Sequence, residues 1–173
     1  MNYNIIDGFL DKSELVRLKK GLVHNGLFPL YMQRGISYAE HHPDFGNDGV
    51  FFIHTFFNLE HSDRPCSDYF QEYISPIIQK LNPSKLYRVR LNLYHKDYKR
   101  TKHGWHVDSN FPHKACIISL NTNNGGTILK KRPFNKYIKS KEGRAVIIDA
   151  HKEHRSVACS DQDYRVNLIV NYS

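Results

Sequence analysis

The sequence has the size and composition of a soluble globular protein. Its 173 residues are 40% hydrophobic and 24% charged, proportions that permit a buried core and exclude a largely disordered chain. Its apolar runs are far shorter than the roughly 20 residues that span a bilayer, and its first residues contain neither a basic leader nor a signal-type segment. The cysteines Cys66, Cys116 and Cys159 match no zinc-binding spacing. We therefore expect one cytoplasmic domain over residues 1–173 with reduced thiols.

The formal net charge of +8 fits an anionic small molecule, an acidic protein or a nucleic acid. Basic residues are densest in HKDYKRTKH (residues 95–103), KKR (130–132) and KYIKSKEGR (136–144). No zinc-finger or RNA-recognition signature accompanies them, so the sequence disfavours a nucleic-acid partner. The lysine-rich segments are instead expected to form a lid over an acidic substrate.

Two helices are predicted in the first half of the chain. The segment DKSELVRLKKGLV begins with Asp11 and has Glu14 three residues later, which is the signature of a capping box. The segment CSDYFQEYISPIIQKL has apolar residues at helical spacing, and Pro76 inside it predicts a kink or a break. A long, irregular, aromatic-rich segment lies between the helices and ends in the strand-like VFFIHTFF, residues 50–57. Residues 1–84 are thus predicted to be helical and irregular support.

Short β-strands dominate from residue 85 onward. The segment KLYRVRLNLYH alternates apolar positions with Arg88, Arg90, Asn92 and Tyr94, which is typical of a strand with one polar face. The runs KACIISLN, GGTILKK, GRAVIIDA and RVNLIVNY follow, separated by turn residues. Helices followed by many short strands predict an α+β fold whose core, residues 85–173, is a sandwich or a small barrel.

The stretch HGWHVDSN, residues 103–110, contains the triplet His106-Val107-Asp108 between two predicted strands. Alternate residues of an extended segment point to the same face, so His106 and Asp108 should converge. One imidazole and one carboxylate are two of the three ligands in the facial triad that holds Fe(II), and His151 or His154 in GRAVIIDAHKEHRSV could supply the third. The flanking His103 and His113 are expected to be solvated loop residues.

The spacing alone is a weak signal, because three other triplets of the same form occur. They are His42-Pro43-Asp44, His61-Ser62-Asp63 and His95-Lys96-Asp97. These three lie in polar, loop-like sequence, which does not place both side chains on one face.

The final strand, YRVNLIVNY, places Arg165, Asn167, Ile169 and Asn171 on one face. An arginine that points into a core is costly unless an anion meets it. The planar guanidinium group suits a carboxylate. A metal site followed by an inward arginine therefore predicts a dicarboxylate co-substrate.

Taken in order, HGWHVDSN, NNGGTILK, GRAVIIDAHKEHRSV and YRVNLIVNY resemble the Fe(II)/2-oxoglutarate-dependent oxygenases. The resemblance is to the prolyl-4-hydroxylase-like branch, and within it to small members carried by bacteriophages. It covers about residues 85–173, and FLDKSELVRLKKGL and FPLY resemble the start of those proteins more loosely. It implies a double-stranded β-helix (a jelly-roll or cupin-like barrel) with N-terminal supporting helices. For a phage-encoded chain, the cytoplasm would be that of the host.

The resemblance also implies roles for individual residues. The iron ligands and catalytic residues would be His106, Asp108 and His154, with His154 preferred over His151 because the short segment Arg155-Ser156-Val157 follows it. Arg165 would bind the distal carboxylate of 2-oxoglutarate. Further co-substrate contacts are expected from Tyr94, Thr127, Asn92 and Asn167.

The implied cofactors are Fe(II), the co-substrate 2-oxoglutarate and O2, with ascorbate as a candidate reductant. The expected reaction is hydroxylation of a peptidyl, prolyl-like residue or of a small molecule, and a nucleic-acid base is a further substrate option. Two alternatives remain. A zinc-binding hydrolase could use the same three ligands but has no need of a buried Arg165. A cupin-like protein could bind a ligand without catalysis. The sequence does not indicate the oligomeric state.

Overall fold

Antiparallel β-strands form most of the regular structure in the computed structural model, which describes residues 1–37 and 49–173. The strands are Tyr3–Ile6 (β1), Tyr31–Arg34 (β2), Val50–Asn58 (β3), Leu86–His95 (β4), Lys114–Ser119 (β5), Gly126–Leu129 (β6), Lys136–Lys139 (β7), Ala145–Asp149 (β8), His154–Val157 (β9) and Tyr164–Tyr172 (β10). Seven of them form a larger sheet in the order β1-β8-β5-β10-β4-β3-β2, and three form a smaller sheet in the order β7-β6-β9. The architecture is mostly antiparallel sheet with few helices, which confirms the strands expected after residue 85.

The helical segments are short. Helix α1, Lys12–Leu18, begins with the predicted capping box, in which Asp11 accepts a hydrogen bond from the Glu14 backbone and the Glu14 side chain accepts one from the Asp11 backbone. A π-helical segment, Lys19–Val23, continues it. A second π-helical segment, Phe70–Ile74, leads into helix α2, Ser75–Leu81. The winding changes next to Pro76, because proline has no N–H group with which to continue the ladder of the preceding turn.

The main hydrophobic core lies on one face of the larger sheet. Most of the alternating apolar residues of β4 and β10 are fully buried on this face, and the helical segments cover them. The residues in this layer include Val89, Leu91, Leu168 and Val170 from the strands and Leu18, Leu22, Ile74 and Ile77 from the helical segments. Each such side chain contributes about 2 kcal/mol on burial. Because successive side chains of a strand point to opposite faces of the sheet, the polar residues of β4 and β10 lie on the other face.

The opposite face of the larger sheet is turned toward the smaller sheet. Directly paired residues of neighbouring strands project to the same side, and the register of β4 and β10 pairs Tyr94 with Arg165, Asn92 with Asn167 and Arg88 with Asn171. Arg165 reaches Thr127 of β6 by a hydrogen bond, so this polar layer lies between the two sheets.

The first half of the chain adds more strand than the sequence predicts. Strands β1, β2 and β3 all join the larger sheet, with β1 paired to β8 and β2 to β3. The assignment of residues 1–173 to one domain, divided at residue 84, remains a prediction. No helix in residues 1–37 or 49–173 is both long and apolar enough to cross a membrane.

Candidate metal and co-substrate site

The side chains of His106, Asp108 and His154 form a cluster that could hold a metal ion. One ligand atom from each lies within 4.8 Å of the others, and Nε2 of His154 is 3.8 Å from Oδ1 of Asp108. The backbone fixes this arrangement, because His106 and His154 exchange two N–H···O bonds of 3.0 Å and the Asp108 amide donates to the carbonyl of Ala150 at 2.9 Å. These backbone hydrogen bonds therefore bring the three residues together, whatever rotamers their side chains adopt.

The second nitrogen of each histidine ring defines the tautomer. Nδ1 of His154 is 3.0 Å from the carbonyl oxygen of Lys152, and Nδ1 of His106 is 3.4 Å from that of Gly104. A carbonyl can only accept, so Nδ1 carries the proton in both rings. The lone pair is then on Nε2, which is the arrangement that second-shell carbonyls impose on metal-binding histidines.

The structure distinguishes the alternatives that the sequence left open. It brings His154 rather than His151 into the cluster. Of the competing triplets, the histidines of His61-Ser62-Asp63 and His95-Lys96-Asp97 are exposed, and His42-Pro43-Asp44 lies outside the described residues.

The carboxylate of Asp108 is held by polar groups from the larger sheet. Asn171 donates from Nδ2 to Oδ2 of Asp108 at 2.7 Å, and Arg88 donates from Nε to Oδ1 of Asn171 at 3.2 Å. A second guanidinium nitrogen of Arg88 lies 3.7 Å from Oδ1 of Asp108. Nδ2 of Asn171 is also 3.3 Å from Nε2 of His113. This network restricts the rotation of the carboxylate and leaves Oδ1 turned toward His154.

The electrostatic environment prepares the cluster for a cation. Burial, together with the nearby His154, lowers the pKa of His106 from 6.5 to about 4. Burial by itself raises the pKa of Asp108, but His154, Arg88 and His106 together with the hydrogen bond from Asn171 outweigh this, so the pKa lies well below its usual range. At neutral pH, His106 is uncharged and Asp108 is ionised, which are the forms that bind metals.

Arg165 is buried in the same cavity with incomplete hydrogen bonding. Its side chain is only 2% exposed. Nε donates to Oγ of Ser140 at 3.0 Å and Nη2 to Oγ1 of Thr127 at 3.5 Å, and the guanidinium lies 5.2 Å from the centre of the Tyr94 ring. Within the part of the chain that the structure describes, Nη1 has no partner and no carboxylate pairs with the group. Burial lowers the pKa of Arg165, so the cation is held at an energetic cost.

The other residues expected to bind the co-substrate surround Arg165. Tyr94, Asn92, Thr127 and Asn167 are all buried and line one cavity with the metal cluster. Asn92 donates to the Tyr94 hydroxyl at 3.1 Å, while its own Oδ1 lacks a partner among the described residues. The amide oxygen of Asn167, oriented toward Arg165, accepts from Nη2 at 3.0 Å. The predicted residues are thus brought together, and their roles remain a proposal.

Sequence reasoning missed several residues of the site. Arg88 and Arg90 share the polar face of β4 and line the cavity, and burial first, then the charge of Arg88, lowers the pKa of Arg90 to about 10. The alternation that identified Arg165 applies equally to them. By contrast, His103 and His113 are only 5% exposed, so the expectation that they are solvated was wrong. Loop sequence carries no periodicity that could have revealed their burial.

The expected lysine-rich lid remains a prediction. The described residues that line the cavity include three arginines but no lysine. Segments 95–103 and 136–144 meet beside the smaller sheet, where Arg100 of the first contacts Tyr137 of the second.

Several solved structures share the fold. A protein of the 2OG-Fe(II) oxygenase family from Burkholderia pseudomallei matches with a TM-score of 0.71 and 14% identity over 99% of this chain and 84% of that chain. A prolyl-4-hydroxylase from Pseudomonas putida has a TM-score of 0.67 and 11% identity, with coverage of 98% and 91%. The epimerase SnoN, solved with Fe³⁺, α-ketoglutarate and nogalamycin RO, has a TM-score of 0.64 and 14% identity, with coverage of 98% and 78%. No family model and no curated protein matches the sequence.

These identities are low, and one fold can carry different chemistries, so the likeness concerns the architecture. It nevertheless agrees with the resemblance carried by the four sequence motifs. The chain has the fold of the 2OG-Fe(II) oxygenases.

Proposed function

We propose that this chain is an Fe(II)- and 2-oxoglutarate-dependent dioxygenase, and specifically a hydroxylase of a peptidyl or small-molecule substrate. One observation carries the proposal: a cluster of two histidines and one aspartate shares a cavity with a buried, incompletely paired arginine. In this proposal the two sheets are the halves of a double-stranded β-helix, with α1 and α2 as its support.

The donor set of the cluster suits Fe(II). Two imidazole nitrogens and one carboxylate are the ligands of the facial triad, which leaves coordination positions open. His106, Asp108 and His154 would hold the metal through Nε2, Oδ1 and Nε2, because the remaining polar atoms of the three side chains are directed to protein partners. Zinc could bind the same atoms, but zinc hydrolysis gives no role to Arg165.

The remainder of the cavity suits a dicarboxylate. Arg88, Arg90 and Arg165 line it, and Asp108 is the one acidic residue among its described lining. Nη1 of Arg165 and Nε of Arg90 are buried without partners in the described residues. Unpaired buried donors are costly, and a ligand with a carboxylate at each end, such as 2-oxoglutarate, would satisfy donors near the metal and donors around Arg165.

Fe(II), 2-oxoglutarate and O2 together supply oxidative decarboxylation to succinate and carbon dioxide, coupled to oxidation of a C–H bond of the substrate. The residues of the chain supply binding and orientation. Arg165, supported by Ser140 and Thr127, fixes one end of the co-substrate. Asn171 and Arg88 hold the ligand Asp108 in place, and the apolar Ile117 and Ile169 help to exclude water from the cavity.

The cellular location and the primary substrate belong to the same proposal. All three cysteines, each within the described residues, are free thiols, and burial raises the pKa of Cys116 to about 12. Free thiols fit a cytoplasmic protein. The prolyl-like substrate rests on the resemblance of the motifs, and a metabolite or a nucleic-acid base remains an alternative.

The test compares alanine substitutions at His154 and at His151, which lies three residues before it. Purified protein with Fe(II), 2-oxoglutarate and air should form succinate slowly without a primary substrate, as measured by proton NMR. His154→Ala should abolish succinate formation and weaken Mn(II) binding, whereas the matched control His151→Ala should retain both. Loss of activity in His151→Ala alone would show that the ligand assignment is wrong. If the native protein neither formed succinate nor bound 2-oxoglutarate in calorimetry with Mn(II), the proposed function itself would be wrong.

A further inference from the structure

The positive charge of the chain is concentrated around the smaller sheet. Segments 95–105, 128–139 and 152–155, which form or border this sheet, contain eleven lysine and arginine residues and only two acidic residues, a net +9 against +8 for the whole chain. The rest of the chain is therefore close to neutral. A charge excess confined to one part of a protein indicates an electrostatic footprint for an anionic partner.

The strand register places three of these cations, Lys102, Lys139 and Arg155, on the outer face of the sheet. Thr127 points inward to Arg165, so alternation turns its neighbours in β6 outward, together with the residues paired to them. Two rows of paired residues cross this outer face, Lys102–Val157–Gly126–Lys139 and Arg155–Ile128–Tyr137. Val157 and Ile128 at the centre of these rows are buried, so the exposed parts of the face are its two basic edges, which are turned away from the metal cluster.

Aromatic rings are interleaved with the cations. The guanidinium of Arg100 lies 4.9 Å from the centre of the Tyr137 ring, and that of Arg155 lies 4.2 Å from the centre of the Trp105 ring. Nearby, Tyr98 is 85% exposed and Phe134 is 84% exposed. These two rings are therefore accessible to a ligand that stacks on them.

The two acidic residues of the region do not neutralise the face. Asp97 accepts a hydrogen bond from the Thr101 hydroxyl, which keeps it within its own loop. Glu153 forms an ion pair of 2.6 Å with Lys130. The remaining cations of the three segments outnumber these two carboxylates several-fold, so the net field at the face stays strongly positive.

We propose that the outer face of the smaller sheet, with the bordering segments 95–105 and 128–139, binds single-stranded nucleic acid. The cations would meet the phosphates, and the exposed rings of Tyr98 and Phe134 would stack on unpaired bases. An acidic protein would also pair with the cations, and the experiment below distinguishes it from a nucleic acid. This inference reverses the expectation from sequence and does not depend on the proposed function, because the face lies outside the cavity.

The experiment measures fluorescence anisotropy of a labelled 20-nucleotide single strand of mixed sequence, as DNA and as RNA, over a range of salt concentrations. The triple variant Lys99→Glu/Lys102→Glu/Lys139→Glu should bind more weakly, and the plot of log K against log [salt] should become shallower by about 2, because each phosphate contact contributes about 0.7. The control Lys12→Glu/Lys20→Glu/Lys114→Glu makes the same charge change at exposed lysines elsewhere and should keep most of the affinity and the original slope.

A second pair of variants tests stacking. Tyr98→Ala/Phe134→Ala should lose at least about fivefold in affinity, whereas Tyr31→Ala, which removes another exposed ring, should lose none. A duplex of the same sequence should bind more weakly than the single strand.

If the two triple variants lose affinity equally, the localised site is wrong. If polyglutamate competes equally per charge and the ring variants have no effect, the partner is an acidic protein surface and the proposal is overturned. Equal thermal melting of all variants shows that folding is not the cause.

Discussion

Replacement of Arg165 by methionine should separate co-substrate affinity from the stability of the fold. Methionine keeps an unbranched apolar stem but removes the guanidinium and, with it, the contact with the Tyr94 ring. Because Arg165 is 2% exposed, solvent screens its charge very little. Truncating one member of a buried, hydrogen-bonded charge pair costs about 2–5 kcal/mol, so the dissociation constant of 2-oxoglutarate should rise about 30-fold to several thousandfold.

The same substitution should not destabilise the protein without ligand. Burial lowers the pKa of Arg165, which means that the folded state holds the charged form at a cost. Replacement of a buried charge by an apolar side chain of similar volume is often neutral or stabilising by about 1–4 kcal/mol. Loss of the hydrogen bonds to Ser140 and Asn167 subtracts about 2 kcal/mol from that gain. The free energy of unfolding should therefore change little.

Calorimetric titration of 2-oxoglutarate into the Mn(II)-loaded protein measures the first effect, and urea unfolding of the metal-free protein measures the second. Arg64→Met, at an exposed position, is the matched control and should change neither quantity. Arg165→Lys should recover part of the affinity, because it restores the charge without the planar fork. A change of less than threefold in 2-oxoglutarate affinity for Arg165→Met, with normal Mn(II) binding, would refute this reasoning.

Three further predictions concern the metal cluster and the smaller sheet. Asn171→Ala should weaken Mn(II) binding about 10–100-fold, because Asp108 loses its 2.7 Å hydrogen bond; unchanged affinity in a chelator competition would contradict this. Burial lowers the pKa of His106 from 6.5 to about 4. The neutral ring therefore makes its full contribution to the free energy of unfolding of the metal-free protein above pH 6.5. Roughly 2 kcal/mol of that free energy is lost by pH 5, because the unfolded chain then takes up a proton on this histidine and the native state does not. Urea unfolding at pH 7 and pH 5 tests this, and His106→Gln should show a smaller pH difference than the native protein. Gly126→Ala should cost about 1–3 kcal/mol, because its Cβ would clash with the carbonyl oxygen of Ile138 in β7, whereas Gly26→Ala meets nothing within 4 Å and should be neutral in thermal melting.

The parts of the site on long strands could be predicted from the sequence. The alternation in β4 and β10 placed Tyr94, Asn92, Asn167 and Arg165 on polar faces, and the register of the two strands pairs these faces. Period-two alternation is a local property that a sheet buried on one face must obey. Arg90 satisfied the same rule and was missed only because no role was assigned to it.

The remainder depends on contacts between distant parts of the chain. His103 and His113 lie in irregular segments, and their burial comes from packing against β9 and β10, as the contacts to Ser156 and Asn171 show. Strands β1 and β2 have four residues each, too few for a pattern to stand out from chance. Their place at the sheet edges follows from pairing partners that local sequence does not specify.

Strand β9 contributes residues to both proposed sites, one on each of its faces. His154 points into the cavity as a member of the metal cluster, while its neighbour Arg155 lies on the outer face against Trp105. A shift of one residue in register would exchange these faces and place the guanidinium in the metal cluster. The two backbone hydrogen bonds between His106 and His154 fix that register at the level of the ligands themselves. The contact that assembles the metal cluster therefore also positions the basic outer face, and the two sites are linked through one strand although neither touches the other.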